Sequence, residues 1–432
     1  MRKRNRRRRR KRNLRILMMT FILIVGIVAA AMVANGIDGE RQKLNENDIS
    51  NNNNNDINDK HENNNENNIV QPEPEPEPNP DITISIKATG DIMFHPSQLD
   101  GAYDPATGTY DFTNSFREVK SILQDADLAI ANFEGTTAGN KVYAYQGYPL
   151  FNAPDEVLDA IKGAGFDVLS TVNNHCLDTR KAGIIRTIEQ IQIRGMDTVG
   201  TYIEKPESRV LVKDIKGIKV AFMAYTEMVN GLESLLTGEE LDSMVNITDE
   251  TKMKEDIKYA KEQKVDVIIA FMHWGNEYSR VESQNQNNVA DMLFSEGVDI
   301  ILGSHPHVIQ PSKILDYNGK KKFITFSMGN FISNQRIETL GPYGIGESVA
   351  KYTEDGVIVN IEIEKKGETG EVSINKIDYT PLWVYKGIDE KGRTEHVIYP
   401  AMNYIESDEL NDNSKARMRR SYDDTMIQMD VE

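Results

Sequence analysis

Residues 266–278 read DVIIAFMHWGNEY, and residues 299–311 read DIILGSHPHVIQP. Both stretches open on a short, continuous apolar run, the pattern of a strand buried on both faces of a sheet. Residues 284–296 between them carry helical spacing. Strand, helix and strand in that order predict a parallel βαβ unit and an α/β fold. Both runs also lead into histidine beside a glycine. Open α/β sheets bind ligands beyond the carboxyl ends of their strands, so these histidines stand where a site is expected.

The same alternation extends outward in both directions. Apolar strands are predicted at 82–91, 128–132, 167–171, 219–225 and 322–330, with helices near 114–125, 154–164, 181–194 and 249–263. A more β-rich end follows at 355–380. From about residue 388 the chain turns polar and charged without a core pattern. The sequence therefore predicts a folded domain over 81–386 and a C-terminal extension over 387–432, either hugging the surface or disordered.

Toward the N-terminus the organisation changes. Residues 1–13 form a basic segment, and residues 14–34, LRILMMTFILIVGIVAAAMVA, are apolar enough to span a hydrocarbon core. A basic flank stays in the cytoplasm. The sequence thus predicts a single-pass transmembrane signal anchor, with the body extracytoplasmic at the cell membrane. A cleaved signal peptide is the rival reading, because small residues precede Asn35. Residues 35–80 form an Asn-rich, disordered linker that ends in a stiffer Pro-Glu alternation. The first fifteen residues hold eleven Lys or Arg, yet the whole chain carries −17. The body is therefore strongly acidic, which argues against a nucleic-acid partner. The single cysteine, Cys176, excludes an intrachain disulfide and reads as a buried, inert thiol.

Ligand-type residues recur at the strand ends. Asp91 follows the first strand. Asn132 and Glu134 follow LAIA, and Asn174 and His175 follow DVLSTV. His273 closes one quoted run, while His305 and His307 follow the other. Taken singly, Gly-Asp is a common turn, Asn-Asn a common helix cap and His-Trp a common core pair. Together they deliver carboxylates, an amide and imidazoles to one sheet edge, which is a metal constellation. Imidazole favours transition metals over Mg or Ca, so two divalent ions drawn from Mn, Zn, Fe or Co are expected. Two such ions about 3.5–4 Å apart bind a phosphoryl group and activate a water.

In order, GDIMFH (90–95), ANFEG (131–135), NNHCLD (173–178), HWGNEY (273–278), GSHPHVIQP (303–311) and SMGNF (327–331) resemble the poly-γ-glutamate capsule synthesis protein (CapA, also PgsA) family. That family lies within the calcineurin-like metallophosphoesterase superfamily. The resemblance covers roughly 82–335, and more loosely extends to about 386. It implies a four-layer αββα sandwich. It further implies Asp91 and His307 as ligands of one metal, Asn174, His273 and His305 as ligands of a second, and Glu134 as the bridge. His175 corresponds to an outer histidine that contacts phosphate or protonates the leaving group. Asn132, Glu277 and Asn330 are expected as supporting or substrate-facing residues. Two positions depart from the superfamily pattern. Met93 stands where Asp-x-His has its histidine, leaving His95 as a candidate substitute, and Glu134 replaces an aspartate.

The resemblance implies a membrane-anchored phosphoesterase in capsule (poly-γ-glutamate) synthesis or export. Its partners would be polymer synthase and export proteins, with an anionic polymer or a phosphorylated substrate. The alternatives are a non-catalytic, metal-binding component of such a complex, or a phosphatase or phosphodiesterase acting on an unrelated surface substrate.

Overall fold

The computed structural model describes residues 79–430. The expected basic segment, anchor and nearly all of the linker lie outside those residues. Among the described residues no helix is long and apolar enough to cross a membrane.

Two mixed sheets form the frame. The first contains β1 (Ile82–Ile92), β4 (Leu128–Phe133), β5 (Val168–Ser170) and β6 (Asp197–Val199), all parallel. A small hairpin, β2 (Tyr103–Asp104) and β3 (Thr109–Tyr110), interrupts the run after β1. On its other side, β1 pairs antiparallel with β14 (Asp355–Lys365). The sheet continues through β15 (Val372–Ile388) to β16 (Thr394–Pro400). Its strand order is β16-β15-β14-β1-β4-β5-β6, with the short β13 (Asn330–Ile332) lying parallel on the end of β1.

The second sheet has the order β11-β12-β10-β9-β8-β7. Its parallel centre is β8 (Ile218–Thr226), β9 (Val267–His273), β10 (Ile300–Ser304) and β12 (Lys320–Met328). The edge strands β7 (Leu211–Ile215) and β11 (Ile309–Tyr317) run antiparallel to their neighbours.

Alternation along these strands builds the layers, because successive side chains point to opposite faces. Ile84, Ile86, Leu128 and Ile130 of the first sheet meet Val220, Phe222, Ile269 and Leu302 of the second in one buried cluster between the sheets. The residues between them point outward. Ala129, Ala131 and Leu169 pack beneath helix α1 (Glu156–Ala164), through its Val157, Leu158 and Ile161. Ala221, Met223, Ile268 and Ala270 pack beneath α3 (Glu250–Glu262) and α4 (Gln284–Glu296). A fourth helix, α2 (Arg180–Ile193), sends Ile184 and Ile188 into the inter-sheet cluster. Helix, sheet, sheet and helix are therefore stacked in the order expected of an αββα sandwich.

The C-terminal region departs from the expectation. The first sheet does not stop near 386, and residues 394–400 form its edge strand. A last helix, α5 (Asp412–Met426), packs Met418 against Trp383, Val397 and Tyr399. Its buried face consists of Ser414, Met418, Ser421 and Thr425. These fall at helical spacing but carry little hydrophobicity, so no apolar stripe is visible in the sequence. Beyond α5, the Gln428 carbonyl accepts from Ser312 N at 2.8 Å and Asp430 Oδ2 accepts from Ile314 N at 2.9 Å. The chain thereby covers part of the exposed rim of β11.

Candidate metal centre

The carboxyl ends of the parallel strands from both sheets meet at one place. Asp91 lies near the end of β1 and Glu134 just past β4. Asn174 and His175 follow β5, His273 ends β9, and His305 and His307 follow β10. All are buried. The backbones of β1 and β13 approach closely here. Asp91 N donates to Gly329 O at 3.0 Å, and a Cβ on Gly90 would stand 1.9 Å from that same oxygen. Only glycine fits at position 90, and this contact fixes Asp91 in place.

Asp91, Glu134 and His273 place potential ligand atoms within 4.8 Å of one another. His273 Nε2 faces Asn174 Oδ1 at 2.9 Å, His305 Nδ1 at 3.1 Å and Glu134 Oε1 at 3.9 Å. On the other side of Glu134, His307 Nε2 lies 3.7 Å from Oε1 and His307 Nδ1 lies 3.3 Å from Asp91 Oδ2. The donors thus fall into two groups that share the Glu134 carboxylate.

Glu134 supplies the test of fit for a cation. Both its carboxylate oxygens are buried, and among the described residues no N–H or hydroxyl donates to them. Burial, then the charge of Asp91, pushes its carboxyl well above the ordinary value. An orphaned buried carboxylate facing imidazole nitrogens is unfavourable by itself and fits a bound cation. The imidazoles are suited to ligation as well. Burial and the neighbouring His305 hold His273 well below the ordinary histidine value. Burial and His307 lower His305 to about 3. Both rings are therefore neutral and present lone pairs. Burial alone would raise Asp91, but the hydrogen bond and charge of His307 outweigh it and hold the carboxyl at about 2.

The Gly-Ser-His-Pro-His loop is backbone-strained. His305 has φ 98° and His307 φ 57°, and non-glycine residues in this region cost roughly 1–3 kcal/mol each. Neighbouring hydrogen bonds hold the loop there. His305 N donates to Asp91 Oδ2 at 3.2 Å, Trp274 N to Ser304 O at 3.1 Å, and Tyr278 N to Pro306 O at 2.8 Å.

Residues 85–335 match the family described as bacterial capsule synthesis protein PGA_cap. This chain belongs to that family. It is 29% identical to the capsule biosynthesis protein CapA of Bacillus anthracis over 261 residues, 58% of this chain and 60% of that protein. It is 25% identical to the PGA biosynthesis protein CapA of Bacillus subtilis (strain 168) over 299 residues, 68% of this chain and 71% of that one. The chain thus spans 60% of the length of the first of these relatives. Among solved structures, an NAD nucleotidase of Haemophilus influenzae is similar over 82% of this chain and 64% of its own, at 11% identity and a TM-score of 0.44.

Within this PGA_cap chain the supporting residues fall largely where the motifs place them. Asn132 Nδ2 donates to Asp91 Oδ1 at 2.8 Å and lies 3.3 Å from His273 Nδ1. Asn330 Oδ1 meets His307 Nδ1 at 3.1 Å. Glu277 is exposed and lines a cavity beside the centre. Met93 lines the same cavity. His95 does not take its place as a ligand. Its Nδ1 accepts from Asn334 N at 3.3 Å. A backbone N–H can only donate, so the proton of the neutral ring sits on Nε2, and neither nitrogen is left for a metal.

Three further residues complete the site. Asp178 Oδ2 lies 2.8 Å from His175 Nδ1 and also accepts from Phe151 N. Asn173 donates to Asn132 Oδ1 at 3.2 Å and to the Phe133 carbonyl at 2.8 Å. Ser304 Oγ stands 2.9 Å from His273 Nδ1. Each lies inside a quoted motif, next to or three residues from an assigned one. Asp178, at i+3 from His175, was open to detection from spacing alone.

Proposed function

We propose that this chain is a metal-dependent phosphoester hydrolase, anchored at the membrane by residues 14–34 with its folded domain outside, that serves capsule poly-γ-glutamate synthesis or export. The observation that carries the hydrolase reading is the Glu134 carboxylate, buried without a partner between His273 and His307. The family and the CapA relatives support the capsule context.

Asp91, His307 and Glu134 would hold one divalent ion, and Glu134, Asn174, His273 and His305 the other. When bound, such a pair supplies Lewis acidity toward a phosphoryl oxygen and a nucleophilic water at neutral pH. The chain's own residues do the rest. Asn132 and Ser304 orient Asp91 and His273. The Asp178 carboxylate accepts the Nδ1–H of His175 and orients the ring, so that Nε2 lies on the cavity side and carries a second proton only in the imidazolium form. His175 Nε2 then delivers a proton to the leaving oxygen. Asp178→Asn is expected to lower turnover ~10²-fold with metal content unchanged.

Met93, an apolar thioether where the superfamily pattern has histidine, favours a second reading. In it the domain is a metal-binding component of a synthase and export complex without turnover of its own. Metal content of the full chain, measured by inductively coupled plasma mass spectrometry, separates the two when paired with chromogenic phosphomonoester and phosphodiester assays in Mn, Zn, Fe or Co. Near two ions per chain with turnover, both lost in His273→Ala, is the expected result. Metal without turnover would select the second reading, and full activity in His273→Ala would end the first.

A further inference from the structure

Beside the metal centre a cavity of about 720 Å³ opens, reaching His175, Asn174 and His307 on its floor. None of the described residues lining it is Lys or Arg. Its exposed carboxylate, Glu277, has no cation or hydrogen-bond partner among the described residues, and its charge is felt by Glu134 and His307. The other carboxylate, Asp178, is engaged by His175. Leu150, Leu340 and Ile345 give the walls an apolar part, beside neutral polar groups on Asn230, Gln335 and Thr339. Tyr148 and Tyr343 come from distant segments and meet edge to face with ring centroids 5.4 Å apart. They are 56% and 63% exposed, so the pair spends aromatic surface at the mouth of the site rather than in the core.

His95 also lines this space, and burial keeps its ring neutral. His95 holds its proton on Nε2, because Asn334 N occupies Nδ1. Asn334 is itself pinned, with its Oδ1 accepting from Lys386 Nζ at 2.9 Å and meeting His396 Nε2 at 3.0 Å. Lys386 thus sits behind the lining, bonded to the Asn334 amide.

A metal centre accommodates one anionic group. A second anion in this cavity would meet no Lys or Arg side chain among the lining residues, and Glu277 would repel it. We infer that the site takes a phosphoester whose reacting phosphoryl group is its only charge, with a neutral apolar or aromatic remainder held by Tyr148 and Tyr343. A carboxylate-bearing polymer chain is then not the substrate of this cavity, even in a protein serving such a polymer. This inference rests on the phosphoester reading above.

Non-hydrolysable phosphonates test it without requiring turnover. Binding of methylphosphonate, phenylphosphonate and 4-carboxyphenylphosphonate to the Mn-loaded full chain is measured by isothermal titration calorimetry. Phenylphosphonate is expected to bind ~10-fold more tightly than either of the others. Tyr148→Ala/Tyr343→Ala, two exposed positions, should lose more affinity for the phenyl than for the methyl compound at unchanged Mn content. Glu277→Gln should narrow the gap between the phenyl and carboxyphenyl compounds. Poly-γ-glutamate should not displace phenylphosphonate. Carboxyphenyl binding as tight as phenyl, or displacement by the polymer, would overturn the inference and leave the hydrolase reading standing. Failure of every phosphonate to bind the Mn-loaded protein would bring down both.

Discussion

Glu134 and Glu354 are both buried glutamates in the same sandwich, and the chain treats them in opposite ways. Glu354 is surrounded by donors. Trp383 Nε1 donates to it at 3.1 Å, Ile337 N at 3.1 Å and Arg417 Nε at 3.0 Å, with a second Arg417 bond to its other oxygen. Arg336 adds its charge at 3.9 Å. Among the described residues Glu134 has none of this, and imidazoles and the carboxylates of Asp91, Glu277 and Asp178 surround it. A buried carboxylate must be balanced by something. At Glu354 the chain supplies the cations itself and the result is a structural clasp. At Glu134 it withholds them and supplies lone pairs, which is the chemistry of a place kept for a metal ion.

The largest effect that would break this contrast is functional. Glu134→Gln is expected to reduce bound metal below two ions per chain and turnover by ~10³-fold, a loss of the size seen when a key electrostatic group is removed from an active site. The same variant in metal-free protein should be no less stable than wild type by urea denaturation, because the orphaned charge is gone. If Glu134→Gln keeps full metal content, the two glutamates are not different in kind.

Next in size, Arg417→Ala strips Glu354 of its closest cation and should destabilise the fold by about 3 kcal/mol. The urea midpoint measures it, and a negligible shift would mean that Arg336 and Arg420, each 3.9 Å from Glu354, suffice. The smallest effect is a pH dependence around the clasp. Burial would raise the Glu338 carboxyl, but the hydrogen bond from Arg417 outweighs it and holds the group down to about 2, from an ordinary value of 4.5. A lowered folded value means that the folded state releases this proton more readily. Its stabilisation is therefore complete above pH 4.5 and lost as pH falls toward 2. The stability gap between wild type and Arg417→Ala should shrink across that window in denaturation curves recorded at stepped pH.

The same contrast explains what the sequence made legible. Glu134, Asn174, His305 and His307 sit in short loops after apolar strands, and Asp91 and His273 at the ends of such strands, so strand patterning and ligand chemistry point to the same spots. The βαβ run was readable for a similar reason. Its strands are buried on both faces, and α4 spans the predicted 284–296. The Glu354 clasp was not legible. Arg417 lies 63 residues away on a helix whose buried face is Ser414, Met418, Ser421 and Thr425. Charge pairing over that separation leaves no local signal, and a stripe of small polar residues resembles a solvated surface. His95 was readable as a neighbour of the site but not as a donor, because its tautomer is set by the backbone of Asn334, far along the chain.

Residues 428 and 430 occupy hydrogen-bonding groups of β11, the outermost strand of the second sheet. An uncovered edge of this kind is a template on which another chain can add a strand. The tail after α5 is thus a guard against self-association. A protease cutting within that tail would leave every metal-centre residue in place and bare the β11 edge to strand addition by another chain.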